Sequence, residues 1–173
     1  MTITVWLTGL PGAGKTTLAK ALKQALDSRQ MPACVIDGDE LRQGLCRDLG
    51  YATSDRQENV RRAAELARLI NRSGTVAIVA LISPLATQRA QAREIIGDSM
   101  VEVHVHAPLD VCQARDPKGL YRQARLGNLA GLTGVDDAYE PPSSPSLMLD
   151  TSQLSISDCI ASLCDKLNIS GED

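Results

Sequence analysis

The chain alternates between short apolar runs and longer stretches in which apolar residues recur every three or four positions. Ile3-Thr-Val-Trp-Leu-Thr8 is apolar and β-rich, and reads as a buried strand. From Thr16 to Arg29, Leu18, Ala21, Leu22, Ala25 and Leu26 fall at helical spacing. Ala33-Cys-Val-Ile-Asp37 follows a Met31-Pro32 break and reads as a second strand. Asp55 to Ser73 predicts a long helix, with Val60, Ala63, Ala64, Ala67 and Ile70 on one face and Gly74 as its stop. Thr75-Val-Ala-Ile-Val-Ala-Leu-Ile82 is apolar on both faces, as a strand inside a parallel sheet has to be. Then come a helix over Thr87–Ile96, a strand over Met100–His106 and a helix over Leu109–Arg115 that Pro108 opens. Residues 116–145 lose periodicity and collect Gly, Pro, Asp and Ser. A strand over Ser146–Asp150 and a helix over Ile156–Leu167 close the pattern. The alternation predicts one α/β domain over residues 1–173: a mostly parallel, five-stranded sheet with helices on both faces.

Composition narrows the class. The 173 residues are 43% hydrophobic, enough for a core. A net charge of −3 without a basic block argues against nucleic acid as a partner. No apolar run approaches the length of a membrane span, so no membrane partner is expected. Met1 leads directly into the first strand, which reads as a chain without a secretory leader. The five cysteines (34, 46, 112, 159 and 164) are scattered and form no CxxC pair. They signal neither a zinc site nor a disulfide framework, and a reduced, cytoplasmic protein is expected. The chain contains no Phe.

Between the first strand and the first helix lies Gly9-Leu10-Pro11-Gly12-Ala13-Gly14-Lys15-Thr16, followed by Thr17. It fits the pattern G-x-x-x-x-G-K-[ST] in the context that pattern requires. Glycines let backbone N–H groups point inward, and the helix N-terminus adds the positive end of its dipole. Lys15 can reach the β- and γ-phosphates of ATP, and the Thr16 hydroxyl can ligate Mg²⁺. The phosphate loop (P-loop) alone does not separate GTPases, motor ATPases and small kinases. The sequence has no Asn-Lys-x-Asp segment to read guanine. Its third strand ends in Leu81-Ile82-Ser83-Pro84 and not in the Asp-Glu of a motor ATPase. A P-loop kinase fold remains, in which a lid must exclude water from the γ-phosphate. The irregular, basic stretch 115–135 is the lid candidate.

Two polar clusters qualify as an acceptor site. Asp37-Gly38-Asp39-Glu40-Leu41-Arg42 follows the second strand, and ligands of such sheets gather outside strand C-termini. Its carboxylates suit Mg²⁺, an acceptor hydroxyl or its proton, and Arg42 suits an anionic acceptor. Asp39 also reads as the N-cap of a following helix. In Asp55-Arg-Gln-Glu-Asn-Val-Arg-Arg62, Arg56 and Asn59 share a helix face, and Arg62 continues it. A guanidinium beside an amide suits a sulfate or phosphate next to a sugar or base edge. His104 and His106 lie on one face of the fourth strand and read as solvated or hydrogen-bonded strand residues in preference to metal ligands.

These segments together resemble the adenylylsulfate kinases, which phosphorylate the 3′-hydroxyl of adenosine 5′-phosphosulfate with ATP. The resemblance covers about residues 3–151. It rests on Thr8-Gly-Leu-Pro-Gly-Ala-Gly-Lys-Thr-Thr17, Ile36-Asp-Gly-Asp-Glu-Leu-Arg42, Asp48-Leu-Gly-Tyr51 and the Asp55–Arg62 helix start. Ile82-Ser-Pro84, Arg115-Asp-Pro-Lys-Gly-Leu-Tyr121, Thr133-Gly134 and Tyr139-Glu-Pro-Pro142 complete it. The resemblance implies that Arg42, Arg56 and Asn59 hold the phosphosulfate and ribose of the acceptor. It assigns Asp37 or Asp39 to Mg²⁺ and the acceptor hydroxyl, without deciding which is the base. Ser83 matches a serine often regarded as a phosphoserine intermediate. Direct in-line transfer needs no such intermediate, so Ser83 is expected to contact substrate, beside Leu81 and Ile82. Lys118 would face both nucleotides from the lid. The resemblance further implies a homodimer and a place in sulfate assimilation. Where the family carries Phe, this chain has Leu81, Leu85 and Leu132, the last at the position that stacks on the acceptor adenine; only Tyr51 keeps an aromatic face. Those exchanges leave open a P-loop kinase for another small anionic acceptor. A nucleotide-binding regulator with weak catalysis is a third reading, against which the full set Lys15, Thr16, Asp37, Asp39, Arg42, Arg56 and Asn59 stands.

Overall fold

Two apolar layers sandwich a parallel sheet, and the side-chain alternation of the strands divides them. The structure is a computed structural model that describes residues 3–169; Met1, Thr2 and residues 170–173 of the expected domain lie outside the described residues. The strands are β1 (Thr4–Thr8), β2 (Ala33–Asp37), β3 (Val76–Ala80), β4 (Met100–His106) and β5 (Leu147–Asp150). The helices are α1 (Lys15–Asp27), α2 (Gly38–Gln43), α3 (Thr53–Arg72), α4 (Ala86–Ile96), α5 (Leu109–Arg115), α6 (Leu120–Arg125) and α7 (Ile156–Lys166). The sheet order is β2-β3-β1-β4-β5, and every pairing is parallel. This is the expected P-loop kinase architecture.

Val5 and Leu7 of β1 and Ile78 of β3 face one layer, packed with Leu18, Leu22 and Leu26 of α1 and Leu163 of α7. Trp6 of β1 and Ala77 and Val79 of β3 face the other, packed with Val60, Ala63, Ala64 and Ala67 of α3 and Ala92 of α4. The alternation is the two-residue period of a strand, and both faces are apolar because both are covered. β1 lies centrally between β3 and β4, so its C-terminal end opens onto the middle of the sheet edge where the site forms.

Three local features depart from the sequence pattern. The third strand stops at Ala80, because the Leu81 amide makes a last bond to the Leu7 carbonyl (3.2 Å) and the chain then leaves the sheet through Ile82–Pro84. α2 is a separate short helix capped by Asp37, whose Oδ1 accepts from the Asp39 amide at 2.9 Å; Asp39 itself is not the cap. α6 forms inside the stretch read as irregular. The Asp116 carboxylate accepts from the amides of Tyr121 (3.1 Å) and Arg122 (2.9 Å), and the Tyr121 hydroxyl donates to the Pro11 carbonyl (2.8 Å). Tertiary bonds supply what six residues of helix cannot nucleate alone.

Gly9 meets β4 so closely that a Cβ there would sit 2.2 Å from the Val105 carbonyl oxygen, at a φ of +156°. Gly9→Ala is expected to cost at least ~1–3 kcal/mol of stability, since backbone and not a flexible side chain must move. Urea denaturation checks it, and a midpoint equal to that of the parent chain would contradict this packing.

Candidate active site

The glycine loop wraps Lys15 at the start of α1. Gly12 (φ +79°) and Gly14 (φ +104°) adopt left-handed backbone, which turns successive amides toward the loop's interior. The Lys15 ammonium donates to the carbonyls of Gly9 and Leu10, both at 2.8 Å. Burial lowers its pKa from 10.5 to about 7, and the Lys118 charge adds to that; Asp37 opposes it weakly. A cation kept out of water between two neutral carbonyls favours an anion that would restore its proton.

Next to it, the Thr16 hydroxyl donates to Asp37 Oδ2 at 2.7 Å. Asp37 is buried at the end of β2, where its other oxygen caps α2. Hydroxyl and carboxylate together form a small set of hard oxygen donors beside the phosphate cradle. That set fits Mg²⁺, which keeps several waters and takes its remaining ligands from phosphates.

A cavity of about 960 Å³ opens from this point along the C-terminal edge of the sheet. It unites the candidate residues: Pro11, Gly12, Gly14, Lys15, Thr16 and Thr17 of the loop, Asp37, Asp39 and Arg42 after β2, and Arg56 and Asn59 on α3. Tyr51, Leu81, Ile82, Ser83, Lys118 and Leu132 also border it. Of the P-loop candidates, Gly9, Leu10 and Ala13 stand behind the wall and hold its shape: the Gly9 and Leu10 carbonyls hold Lys15, and Ala13 is fully buried.

The acceptor candidates are arranged by contacts with the lid segment. Lys118 forms an ion pair with Asp39, both side chains being about half exposed. The Arg42 guanidinium lies 4.3 Å from the Tyr51 ring centroid and donates to the Gly50 carbonyl (2.8 Å). Arg56 donates from Nε to the Tyr51 carbonyl and from Nη1 to Thr133 Oγ1, both at 2.8 Å. Its Nη2 meets the Gly131 carbonyl and the Asp137 carboxylate, the latter at 2.9 Å. Arg56 thus spans from α3 to the 131–137 turn. Asn59 is 5% exposed, and its Oδ1 has no partner among the described residues. Leu81, Ile82 and Leu132 make the apolar part of this wall, with Leu81 and Leu132 buried.

Ser83 is 3% exposed, at a φ of +39°. Its Oγ accepts from the Trp6 indole N–H at 3.1 Å. That bond uses the hydroxyl to seat the segment on the sheet. Arg62, expected to continue the Arg56 face, is turned away into a surface network with Asp48 (2.6 Å) and Glu58 (2.9 Å). His104 is buried and not solvated, its ring centroid 6.0 Å from that of Tyr139; desolvation pushes its pKa down to about 4. Among the described residues no cluster of three metal-ligating side chains occurs.

Several wall residues escaped the sequence reading as site members. Arg115 donates to Thr151 Oγ1 (2.9 Å) and to the Thr151 carbonyl (2.7 Å), while the Thr151 hydroxyl donates to the Ala13 carbonyl (2.7 Å). Leu154, Ile156 and Cys159 continue that wall beside the P-loop. Arg115 opens the Arg-Asp-Pro-Lys motif and was legible there. The residues after β5 carry no local signal. Gln88 is fully buried at the opposite wall: its Oε1 accepts from the Leu85 amide (3.2 Å), leaving Nε2 without a partner among the described residues.

A sequence profile of the adenylylsulphate kinase family matches residues 1–150. The chain is 50% identical over 148 residues to the adenylyl-sulfate kinase of Pseudomonas aeruginosa, covering 85% of this chain and 76% of that one. Its structure is similar to that of the Mycobacterium tuberculosis APS kinase CysC in complex with AMPPNP and APS (TM-score 0.93, 41% identity, 96% of this chain and 97% of the other). It is also similar to a hexameric APS kinase from Thiobacillus denitrificans (TM-score 0.71, 30% identity), covering 96% of this chain and 29% of that one.

The buried Lys15 gives a direct expectation. At pH 8 an ammonium with a pKa of about 7 is mostly neutral. Binding of a triphosphate raises that pKa, so the site takes up most of a proton as the ammonium regains its charge. Calorimetry in buffers of different ionisation enthalpy reads this uptake. Lys15→Met should abolish it, and uptake unchanged in that variant would assign the proton to another group.

Proposed function

The chain belongs to the adenylylsulphate kinase family, and on that premise we propose that its cavity binds ATP and adenosine 5′-phosphosulfate together. It is an ATP-dependent kinase that phosphorylates the 3′-hydroxyl of adenosine 5′-phosphosulfate, giving 3′-phosphoadenosine 5′-phosphosulfate and ADP, in sulfate assimilation. The observation that carries the reading is the junction of Lys15, Thr16 and Asp37 at one end of a cavity whose other end holds Arg42, Arg56 and Asn59.

The loop amides and Lys15 take the β- and γ-phosphates of ATP, and the ammonium regains its charge against them. Thr16 and Asp37 would hold Mg²⁺, which when bound neutralises phosphate oxygens. Both Asp37 oxygens are already engaged, one by the Thr16 hydroxyl and one by the Asp39 amide. Asp39, which pairs with Lys118 of the lid segment, is the carboxylate we assign to the acceptor hydroxyl. The acceptor 3′-oxygen attacks the γ-phosphorus in line, the bond to the β-bridging oxygen breaks, and ADP leaves with that electron pair. The hydroxyl proton passes toward Asp39. Lys118 exchanges its ion pair with Asp39 for the transferring phosphoryl group as the lid closes. Arg42 and Arg56 bind the phosphosulfate through charge-assisted hydrogen bonds, with Asn59 beside them. Leu81, Ile82 and Leu132 cover the acceptor adenine by apolar contact in place of aromatic stacking. The Ser83 hydroxyl, committed to Trp6, takes no covalent part.

A homodimer in the cytoplasm is part of the proposal. The family resemblance and the multimeric Thiobacillus relative support assembly, and five free cysteines suit a reducing compartment.

ADP release measured against a panel of anionic acceptors tests the reading. Adenosine 5′-phosphosulfate should be turned over fastest; a faster, structurally different acceptor would contradict it. Arg56→Ala should weaken that acceptor by about 1.5–3 kcal/mol through a lost charge-assisted contact. The KM for ATP should change far less. Equal loss for both nucleotides would remove Arg56 from the acceptor site.

A further inference from the structure

Ser83 stands at the acceptor wall in a backbone region that side-chain-bearing residues avoid. Such a conformation persists only where the surroundings over-determine it. What holds it is Arg89, on the first turns of α4 and 5% exposed. Nη1 donates to the Ser83 carbonyl at 2.8 Å and Nη2 to the Glu140 carbonyl at 2.7 Å. Nε pairs at 2.9 Å with Glu102, a carboxylate on β4 whose side chain is 13% exposed. One planar fork therefore joins three segments that are distant in sequence: the Ile82–Pro84 shoulder, the chain returning from the lid, and the sheet. Glu140 reinforces the junction. Its amide donates to the Pro84 carbonyl (2.8 Å), and its carboxylate accepts from the Ala86 amide at the start of α4 (2.7 Å). On the near side, the Thr8 hydroxyl donates to the Ile82 carbonyl (2.6 Å) and meets the Tyr139 hydroxyl at 3.1 Å.

Stability alone is a weak reason for such an ion pair, because well-packed apolar residues often serve as well. Placement is the better one. Only a guanidinium offers donors in three fixed directions; an ammonium is a single point charge. Ile82, Ser83 and Pro84 line the cavity, while Arg89 and Glu102 stand behind them. We infer that Arg89, locked by Glu102, is a positioning residue for the acceptor: it sets the Ile82–Pro84 shoulder and ties the lid's return at Glu140 to it. The inference rests on the reading of this end of the cavity as the acceptor site. Among the described residues no hydrogen bond or ion pair joins Arg89 or Glu102 to Gly9–Thr17, so the fork acts on the acceptor end first.

Arg89→Lys and Glu102→Gln in the full-length enzyme test it. Arg89→Lys keeps the charge and loses the fork. The acceptor KM should rise about tenfold or more while the ATP KM stays within roughly twofold. Amide hydrogen exchange should quicken around Ser83 and Glu140 and stay unchanged along α1. Glu102→Gln should move the same readouts in the same direction by less, and it carries the test alone if Arg89→Lys does not fold. Unchanged acceptor KM and unchanged exchange at both segments would overturn the proposal. So would parallel rises in both KM values with faster exchange along α1, which would make Arg89 a general core residue. The exchange measurement needs no acceptor. It therefore decides the positioning role even if the acceptor assignment itself fails.

Discussion

An ammonium group held out of water by backbone carbonyls is the constraint around which this chain is arranged. Lys15 sits at the first position of α1, and its nearest partners are the Gly9 and Leu10 carbonyls of its own loop. Neutral oxygens do not balance a buried charge, so the site is poised for an anion. Holding the lysine there requires a loop with left-handed glycines, packed on β4 with no space for a Cβ at Gly9. The loop in turn requires β1 in the middle of the sheet, where β3 and β4 flank it. Position in the topology, strain in the loop and charge in the cradle are thus one connected demand.

The parallel order then decides what can reach the cradle. β2 and β3 both end on the same edge, delivering Asp37 from one strand and the Leu81–Ser83 shoulder from the other. α3 returns across that edge with Arg56 and Asn59. The segment after α5 comes back over the opening and is bolted down from below, by Tyr121 to Pro11, and from the side, by Thr133 and Asp137 to Arg56. Donor and acceptor ends share one cavity and meet at Asp37, which accepts from the Thr16 hydroxyl at the cradle and from the Asp39 amide at the start of α2, while Arg56 and the Arg89 fork hold the far wall.

Much of this is legible in the amino-acid sequence. The strand, glycine loop and helix announce themselves because each has a local signature: apolar run, fixed glycine spacing, helical period. Asp37, Arg42, Arg56 and Asn59 were legible as a group because strand ends and helix faces bring them to one edge. The short helix α6 is not foreseen, because it depends on the Asp116 carboxylate and the Tyr121 hydroxyl and not on its own propensity, whereas α2 is expected as a helix but with its cap misplaced. Arg89 and Glu102 were invisible for a different reason. A charged residue on an amphipathic helix and another on a strand look solvent-facing in sequence, and only packing shows that they bury each other. Asp39 was read as the cap that Asp37 supplies, a shift of two positions that the chemistry of Asp alone cannot resolve. The replacement of the family's Phe residues by Leu81, Leu85 and Leu132 was plain in the sequence, and the structure keeps Leu81 and Leu132 as a buried apolar wall.

In the acceptor site proposed above, the exchange of rings for aliphatic side chains bears on how the acceptor is held more than on what is done to it. Apolar contact covers a base without fixing the tilt of its plane as stacking does. The arginines and the shoulder must then carry more of the orientation. In-line transfer depends on placing one hydroxyl against one phosphorus, so a loosely oriented acceptor would show as mixed products. Phosphorus NMR of the product formed from ATP and adenosine 5′-phosphosulfate reads this most directly. A single phosphomonoester at the 3′-position, absent when the 3′-deoxy acceptor is used, is the expected result. Phosphorylation at the 2′-position, or no phosphorylated nucleotide beside hydrolysed ATP, would contradict it.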